Sequence, residues 1–305
     1  MSDEIYPGIS IHGNKFTFEI APVLLAAERF YPGDATVKLG GIANLFGLEG
    51  IPNFSEPGIA DVATHAETQG LRYSVENPDL RILMTVAEGL YRLVGKRSAG
   101  IETVADLKGK RIATIPNTSS GYFLHRLLAS AGLSEADVTI ERILPLSAMP
   151  EALASGRVDA VTIWEPEMEN AARAIGDDAV EIGDKAIYRE LFNLNTTRQN
   201  LEDPDKRRKI VRFVAAVVEA GRALSTDPRL AYPLLQEAGG HAPETSAAVW
   251  HHHAYVTRPL DDLLDVMEIE EGWLASQDER RRRDRAELVG LIDYSVFAEA
   301  TELLG

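Results

Sequence analysis

The chain has 305 residues, enough for two domains of ordinary size, and its 45% hydrophobic and 26% charged residues are typical of a globular protein. A formal net charge of −16 argues against a nucleic-acid-binding protein, because that class usually presents a basic face. No apolar run reaches the ~18 residues of a membrane span, and the lack of cysteine excludes disulfides, thiolate metal sites and a cysteine nucleophile.

The first residues, Met1 to Glu4, are acidic and lack the basic start and apolar run of a secretory signal, and no lipid-anchor cysteine is present. We therefore expect a cytoplasmic protein, with a periplasmic location as the alternative if the N-terminus has been trimmed.

Predicted strands and helices alternate over the first two-thirds of the chain, which is typical of parallel α/β sheets. In chain order, the predicted strands lie at 9–11, 35–39, 59–63, 80–87, 111–115, 138–142 and 160–164. Helical periodicity follows the first, third, fifth and sixth of these strands, and from about Pro204 the chain is mostly helical.

The α/β rhythm restarts near residue 95 and ends near 188. This indicates a discontinuous α/β domain of residues 1–94 and 189–305, with a second α/β domain of residues 95–188 inserted into it. Two chain crossovers would then join the domains and act as a hinge.

Three stretches, 101–112, 116–124 and 154–166, resemble the type II periplasmic substrate-binding proteins, in the sulfonate, nitrate and thiamine-precursor binding family of ABC transporters. The resemblance covers about residues 5–300. It implies a two-domain α/β periplasmic-binding-protein type II (Venus-flytrap) fold with a helical C-terminal region. It also implies a small organic, anionic ligand in the cleft between the domains and an ABC permease as partner.

The strongest candidate for anion binding is the turn from Asn117 through Thr118, Ser119 and Ser120 to Gly121, between a strand and a helix. Backbone N–H groups at a helix start can hold a carboxylate, sulfonate or phosphate. The alternative is an ordinary helix cap, since serine and threonine are preferred there in any case.

Other candidates also follow predicted strand ends, where ligands of open α/β sheets bind. Lys15 would pair with an anion, Trp164 would stack on the ligand, and Glu165 would bind a polar group or anchor the hinge. Solvated loops, a helix cap near Thr64 and a core tryptophan are the alternatives. The full set of ligand-binding candidates is His12, Asn14, Lys15, Gly41, Thr64, His65, Asn117, Thr118, Ser119, Ser120, Trp164, Glu165 and His252.

Two further runs suggest binding sites less strongly. Consecutive helical residues point about 100° apart, so the histidines at 251–253 cannot share one metal ion, and at most His252 would reach a ligand. The arginine-rich run 280–285 is predicted as a solvated helix face. We predict neither a metal nor a cofactor.

Two functions are consistent with these residues. The first is an ABC-type solute-binding protein without catalytic activity. The second is a cytoplasmic enzyme on the same fold, a lyase or hydrolase acting on a small aromatic or heterocyclic acid, with His12 and His65 transferring protons. The desulfinases that share this fold depend on a cysteine, so such an enzyme would need other chemistry.

Overall fold

A computed structural model describes residues 6–50 and 54–305 of the chain. The chain divides into two compact units, unit 1 with Met1–Glu88 and Leu191–Gly305, and unit 2 with Gly89–Glu190. The strands are β1 (Ile9–Gly13), β2 (Ala35–Leu39), β3 (Val62–Ala66), β4 (Leu80–Leu90), β5 (Leu93–Lys96), β6 (Arg111–Ala113), β7 (Thr139–Glu141), β8 (Ala160–Val161), β9 (Ala179–Ile182), β10 (Arg189–Thr197) and β11 (His253–Ala254).

The α-helices are α1 (Ala21–Leu25), α2 (Glu67–Glu76), α3 (Ser119–Ser130), α4 (Met149–Ala154), α5 (Glu167–Ile175), α6 (Arg198–Glu202), α7 (Pro204–Thr226), α8 (Tyr232–Gly239), α9 (Pro243–Val249), α10 (Leu263–Gln277), α11 (Arg285–Val289) and α12 (Ser295–Leu304). A π-helical turn, Ala26–Phe30, continues α1, and a 3-10 turn, Ile42–Phe46, follows β2. Within the described residues, no helix combines the length and the apolar character needed to cross a membrane.

Unit 1 is built on a six-stranded sheet with the order β11-β4-β10-β3-β1-β2. β1 pairs in parallel with β2 and β3, and β10 pairs antiparallel to β3. Because successive side chains alternate between the faces of a strand, Ile9 and Ile11 face the main core with α7, and His12 faces the other way. The parallel strands β3, β1 and β2 form one side of the sheet, and their carboxyl ends lie along the same edge.

Unit 2 is built on a five-stranded sheet with the order β7-β6-β8-β5-β9. β6 lies parallel to β7 and β8, while β5 runs antiparallel to β8 and β9. Its core contains Val94, Ala113, Leu153 and Val161, and α3 begins beyond the carboxyl end of β6.

The predicted solvated helix at 280–285 is wrong. Residues 280–284 form an extended connection, and a helix begins only at Arg285. Arg280 and Arg283 instead bind both carboxylate oxygens of Glu271, whose side chain is fully buried. Arg283 also donates to the Leu71 carbonyl at 2.7 Å, which fastens this connection to α2. The pattern of charges within 280–285 could not reveal that the partner of these arginines is a buried carboxylate on the preceding helix, α10.

The third strand also lies later than predicted, at Val62–Ala66 instead of 59–63. Thr64 and His65 are therefore inside β3, and not at the start of a helix. β3 lies between β1 and β10, whose backbones supply hydrogen-bond partners on both sides, so the strand continues through these polar residues.

Candidate functional site

Buried polar side chains gather on one face of the unit 1 sheet, near the carboxyl ends of β1 and β3. His12 lies opposite Ala63 on β3, and Ala63 lies opposite Asn195 on β10. His65 lies opposite Asn193. Residues that are directly paired share a face, so both histidines and both asparagines point to the same side of the sheet.

His12 is fully buried, and Gly40 makes room for it. A Cβ at Gly40 would lie 2.8 Å from His12 Nδ1 and 2.3 Å from Asn44 Oδ1, too close for any larger residue without a shift. Burial and then the charge of Lys38 lower the pKa of His12, and the favourable effect of Asn44 does not outweigh them. The imidazole is therefore neutral at pH 7.

Lys38 is a site residue that the sequence did not reveal. It pairs directly with His12 across β1 and β2. A Cβ at Gly58 would lie 3.6 Å from both Lys38 Nζ and His12 Nε2, so the two groups border the same small region. In the sequence, Lys38 lies between the apolar Val37 and Leu39, as a solvated lysine on an edge strand would. Its position beside His12 becomes visible only from the pairing of β2 with β1.

His65 lies on the same face, with its ring stacked on Tyr73 of α2 at a centroid distance of 6.4 Å. A Cβ at Gly41 would lie 2.8 Å from His65 Nδ1. The absence of a side chain at Gly41 therefore leaves room for the His65 ring, as Gly40 does for His12. Burial lowers the pKa of His65 to about 4. From strand spacing and rise, the Cα atoms of His12 and His65 are roughly 8 Å apart.

Thr64 points to the opposite face of β3, toward Gly13 at the end of β1. A Cβ at Gly13 would lie 2.4 Å from Thr64 Oγ1 and 2.4 Å from Ile20 Cδ1. Glycine at 13 therefore allows β1 and its following turn to approach Thr64 closely.

Asn14 and Lys15 form the turn after β1. Asn14 Oδ1 accepts a hydrogen bond from the Phe16 N–H at 3.1 Å, and Lys15 is half-buried. Two side chains from the C-terminal part of the chain fasten this turn: His241 Nε2 donates to the Phe16 carbonyl and Tyr255 Oη donates to the Phe18 carbonyl, each at 3.1 Å.

The buried member of the histidine run is His253. Its Nε2 lies 3.4 Å from Glu19 Oε1, and both side chains are almost completely buried. Burial alone would raise the pKa of Glu19, but the His253 imidazole holds it below its ordinary value. His252, the predicted ligand residue, lies in the 3-10 turn before β11 with its ring 3.9 Å from that of His251. In the sequence, Glu19 is an acidic residue between the apolar Phe18 and Ile20, and this pattern could have indicated a buried carboxylate that needs a partner such as His253.

In unit 2, the predicted anion-binding turn lies at the start of α3, with Asn117 in the left-handed region at φ 62°. Its hydroxyls bind unit 2 itself: Thr118 Oγ1 donates to the Ile115 carbonyl at 2.7 Å, and Ser119 Oγ lies 2.8 Å from Tyr91 Oη. Ser120 Oγ accepts from Thr114 at 3.1 Å. The N–H groups of the first turn of α3 have no partner within the helix. An anion at this turn would therefore be bound by backbone N–H groups and not by the hydroxyls.

Trp164 and Glu165 follow β8 in unit 2. Trp164 is half-buried against the unit 2 core. Glu165 is buried and is bound inside the unit, because its Oε1 lies 3.0 Å from Arg92 and its Oε2 accepts from the Glu169 N–H at 3.0 Å. The Glu165 carboxylate thus fixes the start of α5.

Several buried polar atoms of unit 1 have no hydrogen bond of good geometry within the described part of the chain. Some, such as Glu19 Oε2 and Ser246 Oγ, lie apart from the others, but seven lie around the end of β3, on β1, β3, β10 and the first turn of α2. These seven atoms are His12 Nδ1 and Nε2, Thr64 Oγ1, His65 Nδ1, Thr68 Oγ1, Asn193 Nδ2 and Asn195 Oδ1. Folded proteins leave few such groups unsatisfied. The atoms of His12, His65, Asn193 and Asn195 share one face of the sheet, unlike Thr64 Oγ1, and indicate a place where water or a ligand supplies the missing partners.

Replacing Thr64 by valine is expected to stabilise the ligand-free protein by about 1 kcal/mol, because it removes an unsatisfied buried hydroxyl and keeps the side-chain shape. Thr196→Val is the matched control, since the buried Thr196 hydroxyl donates to the Asp61 carbonyl at 2.6 Å and its loss should destabilise. Urea unfolding of both variants measures the difference. Equal losses of stability would mean that the Thr64 hydroxyl is already satisfied.

The polar groups described here give no metal cluster: no set of three histidine, aspartate or glutamate side chains within 6–50 and 54–305 could hold an ion.

Comparison with known proteins gives a consistent result. The model of a family described as "NMT1/THI5 like" matches residues 17–231. A Bacillus subtilis (strain 168) protein named "Putative aliphatic sulfonates-binding protein" is 30% identical over 203 residues, which cover 64% of this chain and 59% of that protein. The match thus spans less than two thirds of that relative's length.

Solved structures show the same fold at low identity. The periplasmic aliphatic sulphonate binding protein SsuA from Escherichia coli superimposes with a TM-score of 0.72 at 20% identity, covering 92% of this chain and 91% of that one. The desulfurization enzyme DSZB gives a TM-score of 0.68 at 17% identity, covering 98% and 99%. The predicted periplasmic-binding-protein fold is confirmed, and it is shared by a binding protein and an enzyme.

Proposed function

The chain belongs to the NMT1/THI5-like family, and from this premise we propose that it binds a small organic anion as a solute-binding protein. The observation that carries the proposal is the concentration of unsatisfied buried polar groups at the strand ends of unit 1. Ligands of open α/β sheets bind at strand ends of this kind.

An anionic ligand is supported by the charges beside these groups. Lys38 borders the same region as His12 Nε2, and Lys15 lies two residues beyond the end of β1. The carboxylate of Glu56 opposes these two cations, and its charge also acts on His12. Among the described residues, no carboxylate of unit 1 contributes to the unsatisfied atoms at the end of β3. Because the Bacillus subtilis relative and SsuA are both named as sulfonate-binding proteins, sulfonates are the first ligands to test.

Binding is better supported than proton transfer by His12 and His65. Burial lowers the pKa of His65 to about 4, which makes its imidazole a weak base near neutral pH, and burial also lowers the pKa of His12. His65 is also held against Tyr73 and Gly41, as interior histidines are. The likeness to DSZB concerns the fold alone, and the cysteine-dependent chemistry considered above is closed to this chain.

We further propose an ABC permease as the partner and a location outside the cytoplasm. The SsuA neighbour is a periplasmic protein, and the comparisons give no support to the expected cytoplasmic location.

The proposal is tested by calorimetry and thermal unfolding with alkanesulfonates, aromatic carboxylates, nitrate and pyrimidines. A ligand present at 100 times its Kd should stabilise the protein by about 2.7 kcal/mol. Lys38→Gln should weaken anion binding about tenfold through the loss of a charged hydrogen bond. Lys185→Gln, at an exposed lysine of unit 2, should leave binding unchanged. A panel that leaves the unfolding temperature unmoved would refute the proposal.

A further inference from the structure

We propose that the anion bound by unit 1 also carries a hydrogen-bond donor, such as a hydroxyl, amine or amide N–H, which Asn195 Oδ1 or His12 Nε2 accepts. This inference rests on the proposed function and specifies the chemical class of its ligand. It distinguishes the ligand from a plain alkanesulfonate, a nitrate or an unsubstituted carboxylate, whose polar atoms are all acceptors.

The orientation of the Asn195 amide is fixed by its own hydrogen bonds. Asn195 Nδ2 donates to two carbonyl oxygens, those of Ala63 at 3.2 Å and Asn193 at 2.9 Å. A carbonyl can only accept, so the atom facing both must be the nitrogen. The atom left without a partner is therefore the oxygen, in a residue that is 1% exposed.

His12 presents an acceptor as well. A neutral imidazole carries one N–H donor and one acceptor nitrogen. Nδ1 and Asn44 Oδ1 lie on the same side of Gly40, and Asn44 Oδ1 accepts from the Gly41 N–H and the Ser55 hydroxyl, which confirms that this atom is the oxygen. A proton on Nδ1 would face Asn44, whose interaction with His12 favours this tautomer, and in it Nε2 is the acceptor.

The two acceptors occupy equivalent positions in the sheet. Asn195 and His12 are the direct partners of Ala63 from its two sides, so they lie at one level on one face, two strand spacings apart. A small alanine lies between them. Lys38, the partner of His12 on β2, adds a positive charge at the same level. This row combines one cation with two acceptors, and the negative charge of Glu56 also acts on His12. The combination matches a ligand that has both an anionic and a donor group.

Binding a donor-free anion would leave both buried acceptors unsatisfied. A buried acceptor that loses its partner is costly, and sites built to bind a hydroxyl reject analogues that lack it by large factors. We therefore expect the donor-bearing member of a matched ligand pair to bind at least about tenfold more tightly.

The experiment measures the Kd of two matched pairs by calorimetry with the full chain: ethanesulfonate against 2-hydroxyethanesulfonate, and benzoate against 4-hydroxybenzoate. The same measurements are made with His12→Phe, which keeps a ring and removes Nε2, and with Asn195→Ala, in case one variant fails to fold. Ser246→Ala is the control, because Ser246 Oγ is also buried and unpartnered but lies in α9.

A preference of about tenfold or more for a hydroxyl-bearing ligand, reduced in His12→Phe or Asn195→Ala and kept in Ser246→Ala, supports the inference. Equal affinities within each pair would overturn it and leave the proposed function standing, with water as the partner of both acceptors. A preference that survives both site variants would also overturn it. Absence of binding by all four compounds would count against the proposed function and this inference together.

Discussion

Replacing Glu271 by glutamine should destabilise the protein by about 3 kcal/mol, because it removes the buried partner of two arginines. The Glu271 side chain is fully buried, and those of Arg280 and Arg283 are 17% and 12% exposed. Without the carboxylate, the connection between α10 and α11 would lose its attachment to α10, and Arg283 would keep only its hydrogen bonds to α2. Urea unfolding at pH 7 measures the change in the free energy of unfolding.

The same substitution should have a smaller effect in acid. Burial alone would raise the pKa of Glu271, but hydrogen bonds from Arg280 and Arg283 lower it from 4.5 to about 2. A carboxyl with a depressed folded-state pKa stabilises fully above its unfolded pKa and loses that contribution as the pH falls through the folded one. The stability difference between wild type and Glu271→Gln should therefore shrink between about pH 4.5 and pH 2.

Glu287→Gln is the matched control for this effect. Hydrogen bonds from Arg281 and from the Asp284 backbone also hold the pKa of Glu287 at about 2, but both charged side chains are exposed. Solvent screens such a pair, so its loss should change stability far less. A difference between wild type and Glu271→Gln that stays constant from pH 7 to pH 3 would contradict the ion-pair explanation.

Replacing Gly13 by alanine should cost about 2 kcal/mol, because the added methyl group would overpack the junction between β1 and Thr64. The contact at 2.4 Å involves the short Thr64 side chain and the buried Ile20, neither of which has free space to move into. Urea unfolding of the variant gives the magnitude.

Gly70→Ala provides a control at another buried glycine. A Cβ there would meet only Ile42 and Leu80 at an ordinary 3.9 Å, and Gly70 lies inside α2, where alanine is favoured by about 1 kcal/mol. Stability should therefore rise or stay level. In a Thr64→Ala, Ile20→Val background the cost of Gly13→Ala should fall clearly, and an undiminished cost would assign the effect to the backbone of residue 13.

The sequence predicted those features of the structure that depend on one continuous segment of the chain. Alternating strands and helices and the resemblance at 116–124 predicted the fold, and the strand ends around His12 and Gly41 follow from the same pattern. The chemistry at these ends depends on pairing between distant segments. Lys38 joins the site through β2, and Asn193 and Asn195 join it through β10, more than 120 residues after His65.

The other differences between the predicted and the observed structure also arise from contacts between residues on different segments of the chain. His253 differs from His252 in its buried contact with Glu19, which lies far away in the sequence and meets it in the folded chain. Thr64 and His65 belong to β3 because neighbouring strands supply their hydrogen bonds, and no local propensity encodes that. The arginines at 280 and 283 were predicted to be solvated because their partner, Glu271, lies on the preceding helix.

The discontinuous composition of unit 1 has a consequence for biosynthesis. Unit 2, Gly89–Glu190, is continuous in sequence, so it is synthesised between the two parts of unit 1. β3 acquires its second neighbour only after residues 189–197 have been made, so Thr64 and His65 wait for the whole of unit 2. The acceptors on Asn195 and His12 come together at that moment. A nascent chain that stops before β10 therefore lacks one of the two strands that pair with β3, and with it the Asn195 acceptor.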